Sequence, residues 1–258
     1  SQLQQRHAGN DDFVKRLGID TADYADVASV EALRAAVARI GLPAVIKTRR
    51  FGYDGKGQAI IREGDDLNQV WEDLGTKSAI LEAFIPFERE VSVIAARSAD
   101  GAVECYDVTE NEHRDHILKI SRAPAAISDA LAAEARAIAG KIATALDYVG
   151  VLAVEMFVVA GNGGPKVLVN EIAPRVHNSG HWTLDGASIS QFEQHIRAIA
   201  GWPLGKPIRH GQVTMTNLIG DDILTYEQWL TIPGATVHLY GKGPPRPGRK
   251  MGHVTEVT

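Results

Sequence analysis

The sequence predicts an α+β protein with antiparallel sheets, on three observations. Some segments carry apolar residues at a helical period, others alternate as strands that meet in tight-turn hairpins, and further strands stand singly between helices. With 258 residues, 45% hydrophobic and 23% charged, the chain can bury a core as one large or two small domains. A net charge of −5 and a pI of about 6.0 argue against general affinity for nucleic-acid backbone or anionic membrane. One cysteine, Cys105, excludes an internal disulfide and a cysteine-based zinc site and fits a reducing compartment. No apolar run approaches the ~20 residues of a membrane span, and "SQLQQRHAGNDD" has no signal-peptide core, so the expected location is cytoplasmic.

Taken in order, "SVEALRAAVARIG" has a Ser29 cap, apolar Val30, Leu33, Val37 and Ile40, a terminating Gly41 and Pro43 beyond. It predicts a surface helix that delivers "AVIK" as a strand. "GDDLNQVWEDLG" reads as a second helix, "AILEAFI" as a strand, and "EVSVIAARSADGAVECYDV" as two strands around Asp100-Gly101. "SDALAAEARAIAGKIATALD" aligns Leu131, Ala135, Ile138, Ile142 and Ala145 on one helical face, and "VLAVEMFVVAGNGGPKVLVNEIA" follows as a hairpin. No internal repeat or low-complexity segment is present. From "GWPLGKP" onward the chain is richer in Gly and Pro, so residues 201–258 are expected to form a small C-terminal subdomain after a main domain of residues 1–200.

The stretch "KTRRFGYDGKGQ" sets four basic side chains and three glycines between "AVI" and "AII". It fits neither the phosphate loop G-x-x-x-x-G-K-[ST] nor the dinucleotide fingerprint G-x-G-x-x-G. Strand-like "QAIIRE" follows Gly57, so the stretch reads as a flap between two strands. Gly52, Gly55 and Gly57 would let backbone amides approach an anion, while Lys47 and Lys56 supply point charges, a chemistry suited to a polyphosphate. An ordinary solvated basic loop explains the same residues.

A hairpin loop centred near Gly163 sets Glu155 opposite Glu171 on strands that are otherwise apolar. Opposed like charges destabilise a sheet unless a cation joins them. Two carboxylates with no softer ligand point to Mg2+, or Mn2+ in its place, completed by water and substrate phosphates. A surface-facing pair or a slip in register is the alternative. Next, "NEIAPRVHNSGHWT" crowds Arg175, His177, Asn178, Ser179 and His181 behind Pro174, where they can project into a cleft beside the carboxylates. Anion and substrate binding competes here with zinc on His177 and His181, for which no third soft ligand is near. The terminal "GPPRPGRKMGH" sets Arg246, Arg249 and Lys250 beside prolines, as a solvated basic surface or a second anion clamp.

The lysine after a strand, the flap, "LEAFIPFEREVSV", "VLAVEMF", "VNEIAPRVHNSGHWT", "GASISQFEQHIRAIAGWPLG", "NLIG" and "RPGRKMGH", in that order, resemble the ATP-grasp family of 5-(carboxyamino)imidazole ribonucleotide synthases of purine biosynthesis. The likeness runs over nearly the whole chain. "NEIAPRVHNSGHWT" with "GASISQFEQHIRAI" is specific to that family, whereas the order of lysine, flap and glutamate is shared by the wider ATP-grasp superfamily. The resemblance implies an ATP-grasp fold with ATP between two subdomains and a flap subdomain at about residues 20–85. It implies a ligase, commonly a homodimer, that couples ATP, bicarbonate and 5-aminoimidazole ribonucleotide to give the carbamate, ADP and phosphate through carboxyphosphate.

By the same resemblance, Arg6, Lys47, Gly52, Tyr53, Asp54, Gly55, Lys56, Gly57 and Gln58 hold ATP. Glu82, Ala83, Phe84 and Ile85 form the strand that reads adenine through its backbone, and Glu90 binds the ribose. His113 and Asn170 belong to the nucleotide site, although strict strand alternation would point Asn170 away from Glu171. Glu155 and Glu171 hold magnesium. Tyr53, Asp54, Arg175, His177, Asn178, Ser179, Arg249 and Lys250 bind the ribonucleotide and the carboxylating species. Of these and the flap lysine, Asp54, Tyr53, Lys56, Arg175, His177 and Lys250 are expected to be catalytic. Asp54 would position or deprotonate the exocyclic amine, and His177 with Arg175 would hold carboxyphosphate or released carbon dioxide. Family members carry a preceding nucleotide-fold domain of roughly 100 residues, and the chain is expected to start just after it. The expected behaviour is binding of Mg-ATP with little stimulation of phosphate release by the ribonucleotide. Two other readings stay open: a different ATP-grasp ligase, against which "RVHNSGHWT" argues, and a non-catalytic nucleotide-binding fragment.

Overall fold

Residues 7–48, 57–161 and 163–258 are described by a computed structural model, and within them thirteen strands form two sheets whose ladders are antiparallel. Helix α1 (His7–Arg16) leads to strand β1 (Tyr24–Val27). The Ser29 hydroxyl accepts from the Ala32 N–H and caps α2 (Val30–Ile40), which ends at Gly41 with φ 89°. Strands β2 (Ala44–Thr48) and β3 (Gln58–Ile61) pair with Lys47 opposite Gln58. Asp66 caps α3 (Leu67–Leu74), and β4 (Ala79–Ala83) completes a sheet in the order β1-β4-β2-β3. The apolar faces of α2 and α3 pack on it, around Val27, Leu33, Ile46, Ile61 and Leu81.

The larger sheet starts with β5 (Arg89–Arg97) and β6 (Val103–Cys105), which flank the expected Asp100-Gly101 turn. Then come the hairpin β7 (Thr109–Arg114) and β8 (Ile117–Ala123), the Ser128-capped helix α4 (Asp129–Ala145), and the hairpin β9 (Gly150–Val159) and β10 (Lys166–Ala173). A 3-10 turn (Asn178–Gly180), α5 (Thr183–Gly186) and α6 (Gln191–Ile199) precede β11 (Val213–Ile219). A second 3-10 turn (Gly220–Thr225), α7 (Tyr226–Trp229), β12 (Ala235–Leu239) and β13 (Lys250–Val257) finish the chain. The strand order is β10-β9-β5-β7-β8-β11-β13-β12, with β6 beside β5.

Helix α4 buries Leu131, Ala135, Ala139 and Ile142 against Val93, Val154 and their neighbours on one face of this sheet. The opposite face packs Ile94, Val151, Trp182 and Met215 beneath the residues that follow β10. Residues 213–257 extend the large sheet rather than forming one of their own, because β11 pairs directly with β8 through Met215 and Ser121. The expected small C-terminal subdomain is thus continuous with the large sheet. Among the described residues no helix is long and apolar enough to cross a membrane.

Candidate active site

Along β9, Leu152, Val154, Met156 and Val158 belong to the core under α4, so alternation turns Glu155 to the other face. Its partner across the ladder is Glu171, as expected, but the path to that register differs. Near the loop Val159 faces Lys166, one residue off the symmetric hairpin, and a bulge between Val169 and Glu171 restores the pairing. Val167, Val169 and Ile172 all reach the same core. A spacing of three between Val169 and Ile172 therefore sets both Asn170 and Glu171 off that face. The separation of Asn170 from Glu171 expected from strict alternation is corrected by this bulge.

Burial raises the Glu155 carboxyl above its ordinary value and Glu90 adds to the rise, while His113, Arg175 and Lys250 pull it down. One carboxylate thus senses charges from β5, β7, the segment after β10 and β13. His177 Nε2 stands 3.5 Å from Glu155 Oε1. Burial first, then the Arg175 charge, press the His177 imidazole down to about 4. His113 Nδ1 forms a short hydrogen bond with Glu90 Oε2, which joins a residue expected in the nucleotide site to the one expected at the ribose. Burial lowers that imidazole, but the Glu90 bond and charge outweigh it, so the net shift is upward.

The smaller sheet brings Lys47, whose Nζ donates to Glu82 Oε2 at 2.6 Å. Burial works against the ammonium, and Glu82, with help from Glu171 and Asp11, more than compensates and raises its pKa. Lys47 therefore lies within electrostatic reach of the carboxylate pair on the other sheet. Beyond Lys47, Thr48 N donates to Gly57 O at 2.8 Å and closes the base of the expected flap. Gly57 holds φ 75°, and a Cβ there would come within 2.7 Å of Thr48 Oγ1, so the position requires glycine. Gln58 is exposed. Arg6, Gly52, Tyr53, Asp54, Gly55 and Lys56 lie outside the described residues.

At the adenine strand, Ala83 N–H donates to Asp23 O and Phe84 N–H to Pro43 O, so these two donors are engaged within the protein. Phe87 stacks on Phe157 at 4.6 Å between centroids and 6° between planes, an apolar wall next to this strand that the sequence reading did not identify.

Pro174 ends β10 as expected, and the next residues are held from behind. Gln191, fully buried on α6, grips the His177 backbone from both sides: Oε1 accepts from its N–H at 3.0 Å and Nε2 donates to its carbonyl at 2.7 Å. Gly180 makes room for this grip, since a Cβ would lie 2.7 Å from Gln191 Oε1 and 2.8 Å from Ile94 Cγ1. Asn178 and buried Asn217 exchange two amide hydrogen bonds, of 3.0 and 2.7 Å. Ser179 has 0% exposure and bonds Ser92 and His177. Its hydroxyl is thus engaged within the protein, between Ser92 and His177. Arg175 and Arg249 are exposed, and Lys250, half-buried, reaches Glu155 and His177 electrostatically.

His181 Nδ1 accepts from Gln191 Nε2 at 2.9 Å, and its ring packs against Phe192 and His253. This places it in the hydrophobic support rather than at a zinc ion. Asp185, His238 and His253 bring ligand-type atoms within 4.8 Å of one another. The two imidazoles stack, however, with centroids 4.5 Å apart and 15° between planes. A cation must lie near the plane of each ring that ligates it, and two stacked planes share no such point. His238 Nε2 instead bonds Asp185 Oδ2 at 2.9 Å.

Comparison with known proteins adds a second line. The ATP-grasp domain family matches residues 12–192, and the phosphoribosylaminoimidazole carboxylase C-terminal domain matches residues 213–258. The chain is 48% identical over 258 residues to the N5-carboxyaminoimidazole ribonucleotide synthase of Brucella melitensis, covering 99% of this chain and 70% of that protein. It is similar to the ADP complex of an N5-carboxyaminoimidazole ribonucleotide synthetase, at 40% identity and TM-score 0.93, over 100% of this chain and 68% of the other. It is also similar to the Aspergillus clavatus synthase complexed with ADP and 5-aminoimidazole ribonucleotide, at 31% identity and TM-score 0.91, over 100% and 69%. The chain thus spans about two thirds of the proteins it matches.

Proposed function

Because the chain belongs to the N5-carboxyaminoimidazole ribonucleotide synthase family of ATP-grasp enzymes, we propose that it serves the ATP-dependent carboxylation of 5-aminoimidazole ribonucleotide by bicarbonate in purine biosynthesis. The observation that carries this reading is the convergence of Lys47 from one sheet, and of Arg175, His177 and Lys250 from the other, on the opposed pair Glu155 and Glu171. A site of this kind manages charge on a phosphoryl group and a second anion at once.

Glu155 and Glu171 fit a hard divalent cation such as Mg2+, since they are opposed carboxylates set in an otherwise apolar hairpin. That ion, when bound, offsets charge on the phosphate oxygens. Lys47 does the same from the flap side. An ammonium carries three donors, so its bond to Glu82 does not exhaust it. A bicarbonate oxygen attacks the γ-phosphorus, the bond to the β-bridging oxygen breaks, and ADP leaves with that electron pair. Carboxyphosphate forms under the flap, which excludes water, while Lys56 and the flap amides offset the charge of the phosphoryl group. The exocyclic amine then takes the carboxyl carbon and phosphate departs with one former bicarbonate oxygen. Asp54 accepts or positions the amine proton, Tyr53 orients the ribonucleotide, and Arg175, Asn178, Arg249 and Lys250 hold anionic groups of the ribonucleotide and the carboxylating species. Glu90 with His113 receives the ribose, and Ile85 follows the strand end facing adenine.

A homodimer in the reducing cytoplasm completes the proposal. Ile196, Ile199 and Trp202 are 52%, 54% and 60% exposed on and just after α6, an apolar stretch that a second copy would cover. The functional test is phosphate release from Mg-ATP and bicarbonate with and without 5-aminoimidazole ribonucleotide. Stimulation by the ribonucleotide is expected, in contrast to the little stimulation anticipated from the sequence, because both matched family domains are present. Stimulation by another amine in its place would indicate a different ligase, and absence of release would indicate a nucleotide-binding module.

A further inference from the structure

We propose that a buried hydrogen-bond chain of Ser121, Asn111, Ser92 and Ser179 locks His177 as the tautomer with its proton on Nε2, so that this side chain meets the carboxylating anion as a neutral donor and not as a base. The Ser179 backbone N–H lies 3.3 Å from His177 Nδ1 and can only donate, so Nδ1 carries a lone pair and the ring proton sits on Nε2. The Ser179 hydroxyl, 2.9 Å from the same Nδ1, adds a second donor.

The direction of that hydroxyl is set further back. Ser121 Oγ donates to Asn111 Oδ1 at 2.8 Å, Asn111 Nδ2 donates to Ser92 Oγ at 2.9 Å, and Ser92 Oγ donates to Ser179 Oγ at 2.8 Å. Each hydroxyl oxygen that accepts along this line is left to donate onward, so the polarity ends at Nδ1. Ser92, Ser121 and Ser179 are 0% exposed and Asn111 7%, on three adjacent strands of the large sheet and the turn above them. A row of four polar side chains in an apolar sheet interior is costly unless each is satisfied, and here each is.

The consequence for chemistry follows from the free end. Nε2–H points to the side of Glu155, 3.5 Å away, at the long limit of a hydrogen bond. An oxygen of bicarbonate or carboxyphosphate that binds beside Glu155 would accept from Nε2–H in a normal bond. Removal of the amine proton then falls to another residue. The role as donor to the anion rests on the proposed carboxylation, whereas the tautomer lock does not.

The test is nitrogen NMR of the histidine-labelled protein, with the His177 resonances identified by their loss in His177→Gln. The expected spectrum has a protonated, pyrrole-type Nε2 and a hydrogen-bonded, pyridine-type Nδ1. In Ser179→Ala the Nδ1 resonance moves toward its unbonded position, and kcat falls roughly tenfold or more with the KM for ATP unchanged. Ser121→Ala, at the far end, moves the same resonance by less, and it serves where Ser179→Ala fails to fold. A proton on Nδ1 in the unaltered protein, or an Nδ1 resonance that both variants leave in place, overturns the lock. Since the ring is read without substrate, that failure is separate from a failure of ribonucleotide-stimulated phosphate release.

Discussion

Glu171 and Asp11 each carry a charge whose cost can be measured. Glu171→Gln removes one of two opposed carboxylates, so magnesium-dependent turnover is expected to vanish while thermal stability without metal holds or rises. Activity unchanged by this substitution contradicts the metal assignment. Asp11, 9% exposed on α1, is raised from 3.8 to about 7, first by burial and then by the Glu82 charge, with Lys47 and Lys15 opposing. Its folded value lies above its unfolded one, so the proton is held more tightly in the native state. The stabilisation it contributes is complete at acid pH and is lost as pH rises from about 4 to about 7. Asp11→Asn is expected to flatten this loss in urea unfolding across that window, and an unaltered pH slope contradicts the reading. Neither Asp11 nor Gln191 was legible in the sequence, because an acid in an otherwise polar helix start and a glutamine in a helix carry no local signal of burial.

At the scale of elements, the flap base and the turn above His177 depend on glycines. Gly57→Ala puts a Cβ against Thr48 Oγ1 at a left-handed backbone position. ATP turnover is expected to fall more than adenosine binding, measured by steady-state kinetics and calorimetry, since the phosphates lie under the flap. Equal loss of both points to general misfolding. Gly180→Ala presses on the Gln191 grip and is expected to cost ~1–3 kcal/mol in denaturant unfolding. The helices around Ser29, Asp66 and Ser128 were legible because caps and apolar period coincide. The β7–β8 turn was not: Asp115 and His116 hold φ 50° and 63° without a glycine, so the usual mark of a two-residue hairpin is missing. In β9 and β10 the Glu155 and Glu171 pair was found by assuming a symmetric loop, and the bulge at Asn170 is what makes that assumption give the right partners.

Across the whole molecule, the site exists only where two sheets and four chain segments meet, which is why spacing alone could suggest its parts but not their assembly. Resemblance supplied the roles of Glu90 and His113, and the structure supplied their bond. The exposed Ile196, Ile199 and Trp202 make the oligomer testable at the same scale: Trp202→Glu is expected to shift a dimer toward monomer in sedimentation. The central claim is that carboxyl transfer passes through a phosphorylated bicarbonate held among Lys47, Glu155, Glu171 and His177. Mass spectrometry of the phosphate formed from bicarbonate labelled with heavy oxygen tests it most directly, in the presence of Mg-ATP and 5-aminoimidazole ribonucleotide. One labelled oxygen per phosphate is the expected result, because the attacking oxygen stays on phosphorus when the amine takes the carbon. Phosphate released in step with product but carrying no label would contradict the claim.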